Sequence, residues 1–98
     1  MLKNVSDDKA FWFCTNSGFT GKIAHNLSEF SECLKTVPTE SLEFHLRDNK
    51  NDFEAWLKRV MEEPKFATSM KRIKKKGIKG DELRASINML AKKIAKSA

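Results

Sequence analysis

The chain has 98 residues, with 19 Lys and Arg against 13 Asp and Glu and a formal net charge of +6. That length fits one domain burying roughly 60 to 65% of its unfolded surface, and 40% hydrophobic with 33% charged residues excludes a wholly disordered chain. The longest apolar run, Ala10 to Cys14, is far short of the roughly 20 residues that span a bilayer, and the N-terminus carries Asp7 and Asp8 but no apolar signal segment. A cytoplasmic location is expected, with a single domain over 1–98 and residues 1–8 as a flexible lead-in.

In chain order, Phe11, Phe13 and Thr15 alternate with Trp12 and Cys14, an aromatic and β-branched run that predicts a strand over 10–15 buried on both faces. Thr15-Asn16-Ser17-Gly18 is turn-forming, and Gly21-Lys22-Ile23-Ala24 returns as a second short strand of a loose hairpin. Asn26-Leu27-Ser28-Glu29 has the form of a capping box, and Leu27, Phe30 and Leu34 share one face, predicting a helix over 27–36. Pro38 suits a first helical turn. Residues 41–47 read two ways: Leu42, His45 and Leu46 share a helical face, yet Leu42, Phe44 and Leu46 alternate with Glu43, His45 and Arg47 as in a half-exposed strand. Helix is preferred there.

Asn51-Asp52-Phe53-Glu54 repeats the capping pattern, and Phe53, Trp56, Leu57, Val60 and Met61 form one stripe. Pro64 opens a further helix in which Phe66, Met70 and Ile73 point inward, with Gly77 ending it in a left-handed cap and Ile78 making the accompanying hydrophobic contact. Asp81 is expected to cap a last helix carrying Leu83, Ile87, Leu90 and Ile94 on one side and Lys92, Lys93 and Lys96 near its negative end. The fold class is therefore mostly α (α+β): a short N-terminal strand or hairpin packed on four to five helices.

Charge is distributed unevenly. Residues 1–50 carry a net −1 and residues 51–98 a net +7, and from Lys65 to Gly80 there are seven cations and no acid. Lys71, Arg72, Lys74, Lys75, Lys76 and Lys79 dominate this stretch, with Arg84 beyond it. A cationic field of this kind accelerates encounter with phosphate-rich surfaces and adds salt-sensitive affinity without base recognition.

Other chemistry is weaker. Cys14, His25, Cys33 and His45 lack any close ligand pair of the kind that pre-forms half a zinc site, so no metal and no cofactor is expected. The two cysteines read as small hydrophobes rather than a disulfide. Ser41, His45 and either Asp48 or Asp52 have the residue types of a nucleophile, base and orienter, but no nucleophile elbow or oxyanion glycine loop accompanies them. His45 is instead read as a helix-end residue whose hydrogen bonding fixes the turn into Asp52. Trp56 is assigned to the core, and Trp12 is a core residue or an outward stacking surface.

Phe11-Trp12-Phe13-Cys14 with Asn26-Leu27-Ser28-Glu29-Phe30, Ser41-Leu42-Glu43-Phe44-His45-Leu46 leading into Asp52-Phe53-Glu54-Ala55-Trp56-Leu57, and Gly80-Asp81-Glu82-Leu83-Arg84 together resemble a family of small, largely archaeal domains of unknown function. That resemblance implies one compact domain with no assigned activity and no catalytic residue. The residues point to a non-catalytic binding domain, not an enzyme, in which Lys71, Arg72, Lys74, Lys75, Lys76, Lys79 and Arg84 grip an RNA or DNA backbone, ribosomal RNA being one such ligand. The alternative is a protein-interaction or self-association module presenting the stripe of the C-terminal helix.

Overall fold

A computed structural model describes residues 3–98, so the first two residues of the expected lead-in lie outside it. Strands β1 (Phe11–Thr15) and β2 (Gly18–Ala24) form an antiparallel hairpin, followed by five helices: α1 (Leu27–Thr36), α2 (Thr39–His45), α3 (Asp52–Arg59), α4 (Pro64–Lys75) and α5 (Gly80–Ser97). Before the hairpin, Asp7–Lys9 form a single 3₁₀ turn, and the Val5 amide donates to the His25 carbonyl at 2.9 Å.

The hairpin register runs Phe11↔Ala24, Trp12↔Ile23, Phe13↔Lys22, then slips so that Cys14 pairs with Phe19 and Thr15 with Gly18. Thr20 and Gly21 are the extra residues of this bulge. Gly21 takes φ +90°, a conformation that side-chain-bearing residues avoid, and the Thr20 hydroxyl donates to the Phe13 carbonyl at 2.7 Å. One face of β1 is buried rather than both, because α1, α2 and the aromatic residues of α3 pack on a single face of the sheet. Phe11 and Phe13 point into the core, whereas Trp12 is 45% exposed.

The core is built on aromatic rings. Phe11, Phe13, Phe30, Phe53 and Trp56 pack with centroids 4.7 to 6.1 Å apart in tilted and edge-on arrangements, geometry that adds roughly 0.5–1.5 kcal/mol per pair beyond burial itself. The Trp56 indole N–H donates to the Lys9 carbonyl at 2.8 Å, so this bulky core residue carries no unpaired polar group. Helix α5 lies across α1, α2 and α4 and buries Leu83, Ile87, Leu90, Ala91 and Ile94.

Capping follows the sequence at two helices and departs from it at a third. Asn26 and Asn51 accept from the Glu29 and Glu54 amides at 2.8 and 2.9 Å, starting α1 and α3. Glu29 reaches one residue further back than the box pattern implies and accepts from the His25 amide at 2.8 Å. At α5, Asp81 does not cap: the helix begins two residues earlier than an Asp81 cap would start it, with Lys79 at the cap position, and the Glu43 carboxylate of α2 receives the Gly80 N–H at 2.8 Å. A tertiary acceptor thus replaces the local one. Residues 41–47 are helical through His45, with Pro38 just ahead of the first turn; burial of Leu42 and His45 on one side outweighs the alternating pattern. Gly77, at φ +64°, ends α4 as expected and brings Ile78 onto the core.

Asn51 also donates to the Met70 carbonyl at 3.3 Å, so it ties α3 to α4 as well as starting α3. Asn51→Ala should cost about 1–2 kcal/mol in urea unfolding, whereas Asp81→Ala should cost only about 0.3–0.5 kcal/mol by removing a favourable charge from the helix start.

Candidate functional site

The cations of α4 separate into two groups by helical periodicity. Ala67, Met70 and Ile73 mark the buried arc, and Lys74, one turn after Met70, falls on it. Its ammonium reaches the C-terminal end of α2, donating to the Leu46 carbonyl and, at 2.8 Å, to the Asp48 carbonyl. Lys65, Lys71, Arg72, Lys75 and Lys76 occupy the opposite, exposed arc together with Thr68, and Lys79 follows in the loop. Among the described residues, none of these six cations lies within ion-pair distance of a carboxylate.

Arg84, the seventh residue of the expected site, flanks the buried face of α5. Its guanidinium donates to the Leu34 carbonyl at 2.9 Å, the Lys35 carbonyl at 3.2 Å and the Val37 carbonyl, closing the C-terminal end of α1. Helix ends leave carbonyls without intrahelical donors, and a cation there also meets the negative end of the helix dipole. Lys74 and Arg84 thus each hold together two elements of the fold.

A cleft of about 470 Å³ opens where α2, the hairpin turn and the α4–α5 loop meet. Asn16 of the turn, Gly77 and Lys79 of the loop, and Arg47 and Asp48 after α2 line it. Arg47 sits over the Phe44 ring at 3.8 Å and donates to the Phe44 carbonyl at 2.7 Å.

Ser41, His45 and Asp52 come together, but around the backbone of Cys14. The Cys14 amide donates to His45 Nε2 at 2.9 Å, and the Ser41 hydroxyl donates to the Cys14 carbonyl at 2.8 Å. Because Nε2 accepts, Nδ1 carries the proton and donates to Asp52 Oδ2 at 2.9 Å. Burial pushes His45 below its ordinary value of 6.5, only partly offset by the Asp52 hydrogen bond, so the imidazole is neutral at physiological pH. Ser41 and the basic nitrogen of His45 are both occupied by the strand. His25 is the converse case: hydrogen bonds to Asp7 at 2.7 Å and Glu29 at 2.9 Å push its pKa up. Cys33 is buried and Cys14 half-buried, both as free thiols, and among the described residues no three His, Cys, Asp and Glu side chains gather as metal ligands.

Over residues 1–92 the chain matches the model of a family described as a family of unknown function (DUF5752). The chain belongs to that family. No curated protein and no solved structure matches it. In this DUF5752 domain, the stripe that the interaction alternative assigns to a partner belongs to the domain's own core, since Leu83, Ile87, Leu90 and Ile94 are each at most 4% exposed. Among the described residues no helix is long and apolar enough to cross a membrane. Of the two readings of Trp12 the outward one holds, and Phe19, which the sequence reading did not single out, joins it: the two are 45% and 48% exposed with ring centroids 5.1 Å apart.

Arg84→Ala should lower unfolding free energy by about 1.5–3 kcal/mol, the scale of hydrogen bonds from a charged donor, measured by urea denaturation. NMR titration of the imidazole protons should place the His25 midpoint above 6.5 and that of His45 below it. The linkage signs are opposite. The stabilisation from His25 is complete at low pH and is lost as pH rises through its folded value, whereas His45 stability is complete above 6.5 and is lost as pH falls toward its folded value. His25→Gln should therefore steepen the decline of melting temperature on acidification.

Proposed function

We propose that this domain is a non-catalytic, cytoplasmic nucleic-acid-binding module that holds an RNA or DNA backbone on the exposed arc of α4 and the loop after it. The observation that carries this reading is the set Lys65, Lys71, Arg72, Lys75, Lys76 and Lys79, all exposed and without a carboxylate at ion-pair distance among the described residues. Six like charges on one surface repel one another, and an anionic polymer relieves that repulsion while releasing its own counterions. Thr68 and Ser69 lie among them, beside Lys65 and Arg72 in a shallow depression, with their hydroxyls donating to the Pro64 and Lys65 carbonyls. Such a face contacts phosphates and positions a strand without reading bases. Lys74 and Arg84 support the surface from behind rather than touching the ligand. No catalytic step is assigned, and Ser41, His45 and Asp52 act as a structural clamp.

Fluorescence anisotropy with mixed-sequence oligonucleotides tests this. Six phosphate contacts predict a salt slope of about −4 for a single strand, or a loss of affinity on the order of 10²-fold between 50 and 200 mM salt. Lys71→Glu/Arg72→Glu/Lys75→Glu/Lys76→Glu should abolish binding in a protein that keeps its circular dichroism spectrum. Affinity insensitive to salt, or retained in that variant, overturns the reading.

A further inference from the structure

The outer face of the hairpin carries a feature the fold does not use. Trp12 and Phe19 lean together at 5.1 Å and 47°, both about half exposed, with Ile23 and Cys14 half-buried around them. The Trp12 indole N–H is already satisfied by the Asp7 carbonyl at 2.9 Å, which restrains the orientation of the half-exposed ring. Two large exposed rings side by side call for a partner more than scattered apolar residues do. A pre-oriented ring also loses little entropy when something stacks on it.

The position of this pair bears on what that partner is. The hairpin turn next to Phe19 lines the same cleft as Gly77 and Lys79, through Asn16. Lys79, the last cation of the basic stretch, thus stands beside the turn that joins the Trp12 strand to the Phe19 strand.

We infer that the Trp12–Phe19 face is a stacking platform for unpaired bases, so that the ligand is a single-stranded nucleic acid rather than a duplex. This rests on the proposed backbone-binding role of α4 and adds a chemical class to it. Aromatic rings stack on any base, and a duplex keeps its bases stacked on one another and out of reach.

The test titrates a short mixed-sequence RNA or DNA strand, alone or annealed to its complement, while tryptophan emission and probe anisotropy are both followed. Trp56 is buried, so a change in emission reports Trp12 and should vanish in Trp12→Phe. Single strands should quench Trp12 and bind at least about fivefold more tightly than the duplex, and Phe19→Ala should weaken single-strand binding by about fivefold or more while sparing the duplex. RNA and DNA arms separate the two sources of strand, and quenching by either upholds the platform. Equal affinity for strand and duplex with unchanged emission, in a protein still dependent on Lys71, Arg72, Lys75 and Lys76, overturns the platform and leaves backbone binding intact. No binding in any arm overturns both.

Discussion

The structure depends on how the edge of a two-stranded sheet is satisfied. An isolated hairpin is marginal in water, and beyond the bulge the Cys14 amide and carbonyl turn away from β2 and need other partners. His45 and Ser41 supply an acceptor and a donor from α2, in the place a third strand would occupy. The same imidazole donates to Asp52, in the first turn of α3, and its ring contacts Phe11, Phe13 and Phe53 at 4.7 to 6.2 Å. One side chain therefore joins the hairpin, α2 and α3, and sits within the aromatic core. Both ring nitrogens are used and the surroundings are apolar, so a proton on His45 would leave a buried cation facing a backbone N–H donor. The depressed pKa follows from that geometry, and a fully satisfied polar group of this kind specifies one arrangement of its neighbours.

Much of this was legible in the sequence, for identifiable reasons. Stripes such as Phe53, Trp56, Leu57 and the one from Leu83 to Ile94 declare both a helix and its buried side, and Asn26 and Asn51 act through local geometry that needs no tertiary knowledge. What failed depended on distant partners. Asp81 has the form of a cap, but Glu43, 37 residues away, takes the Gly80 amide. Over residues 41–47 the helix preferred from the sequence is the one observed, but the alternation suits a strand as well, and packing against β1 and α5 is what decides between them. Trp12 looked equally suited to either face of a strand until the coverage of the sheet by helices was known.

The candidate site was legible as a charge density but not as a surface. A run such as Met70 to Lys79 records how many cations are present, not which way each points. Periodicity alone places Lys74 on the arc of Ala67 and Met70, and that much was available from the spacing. What the spacing does not contain is the C-terminal end of α2, whose carbonyls make an inward lysine favourable instead of costly. Arg84 is the same case at α1.

Helix stability accounts for part of the basic surface, and the remainder is what bears on function. Arg72, Lys74 and Lys75 lie in the last turn of α4, where cations meet the negative end of the dipole. On that ground alone the first turn should carry acids, as the first turns of α3 and α5 do. The first turn of α4 carries none, and Lys65 stands there against the dipole. Lys71 precedes the stabilised turn, Lys76 and Lys79 follow it, and among the described residues no acid within ion-pair distance compensates them. A helix composed only for stability would not be cationic from end to end along its exposed arc. An anionic strand lying along that arc gives every one of these charges a partner, including the one the dipole disfavours.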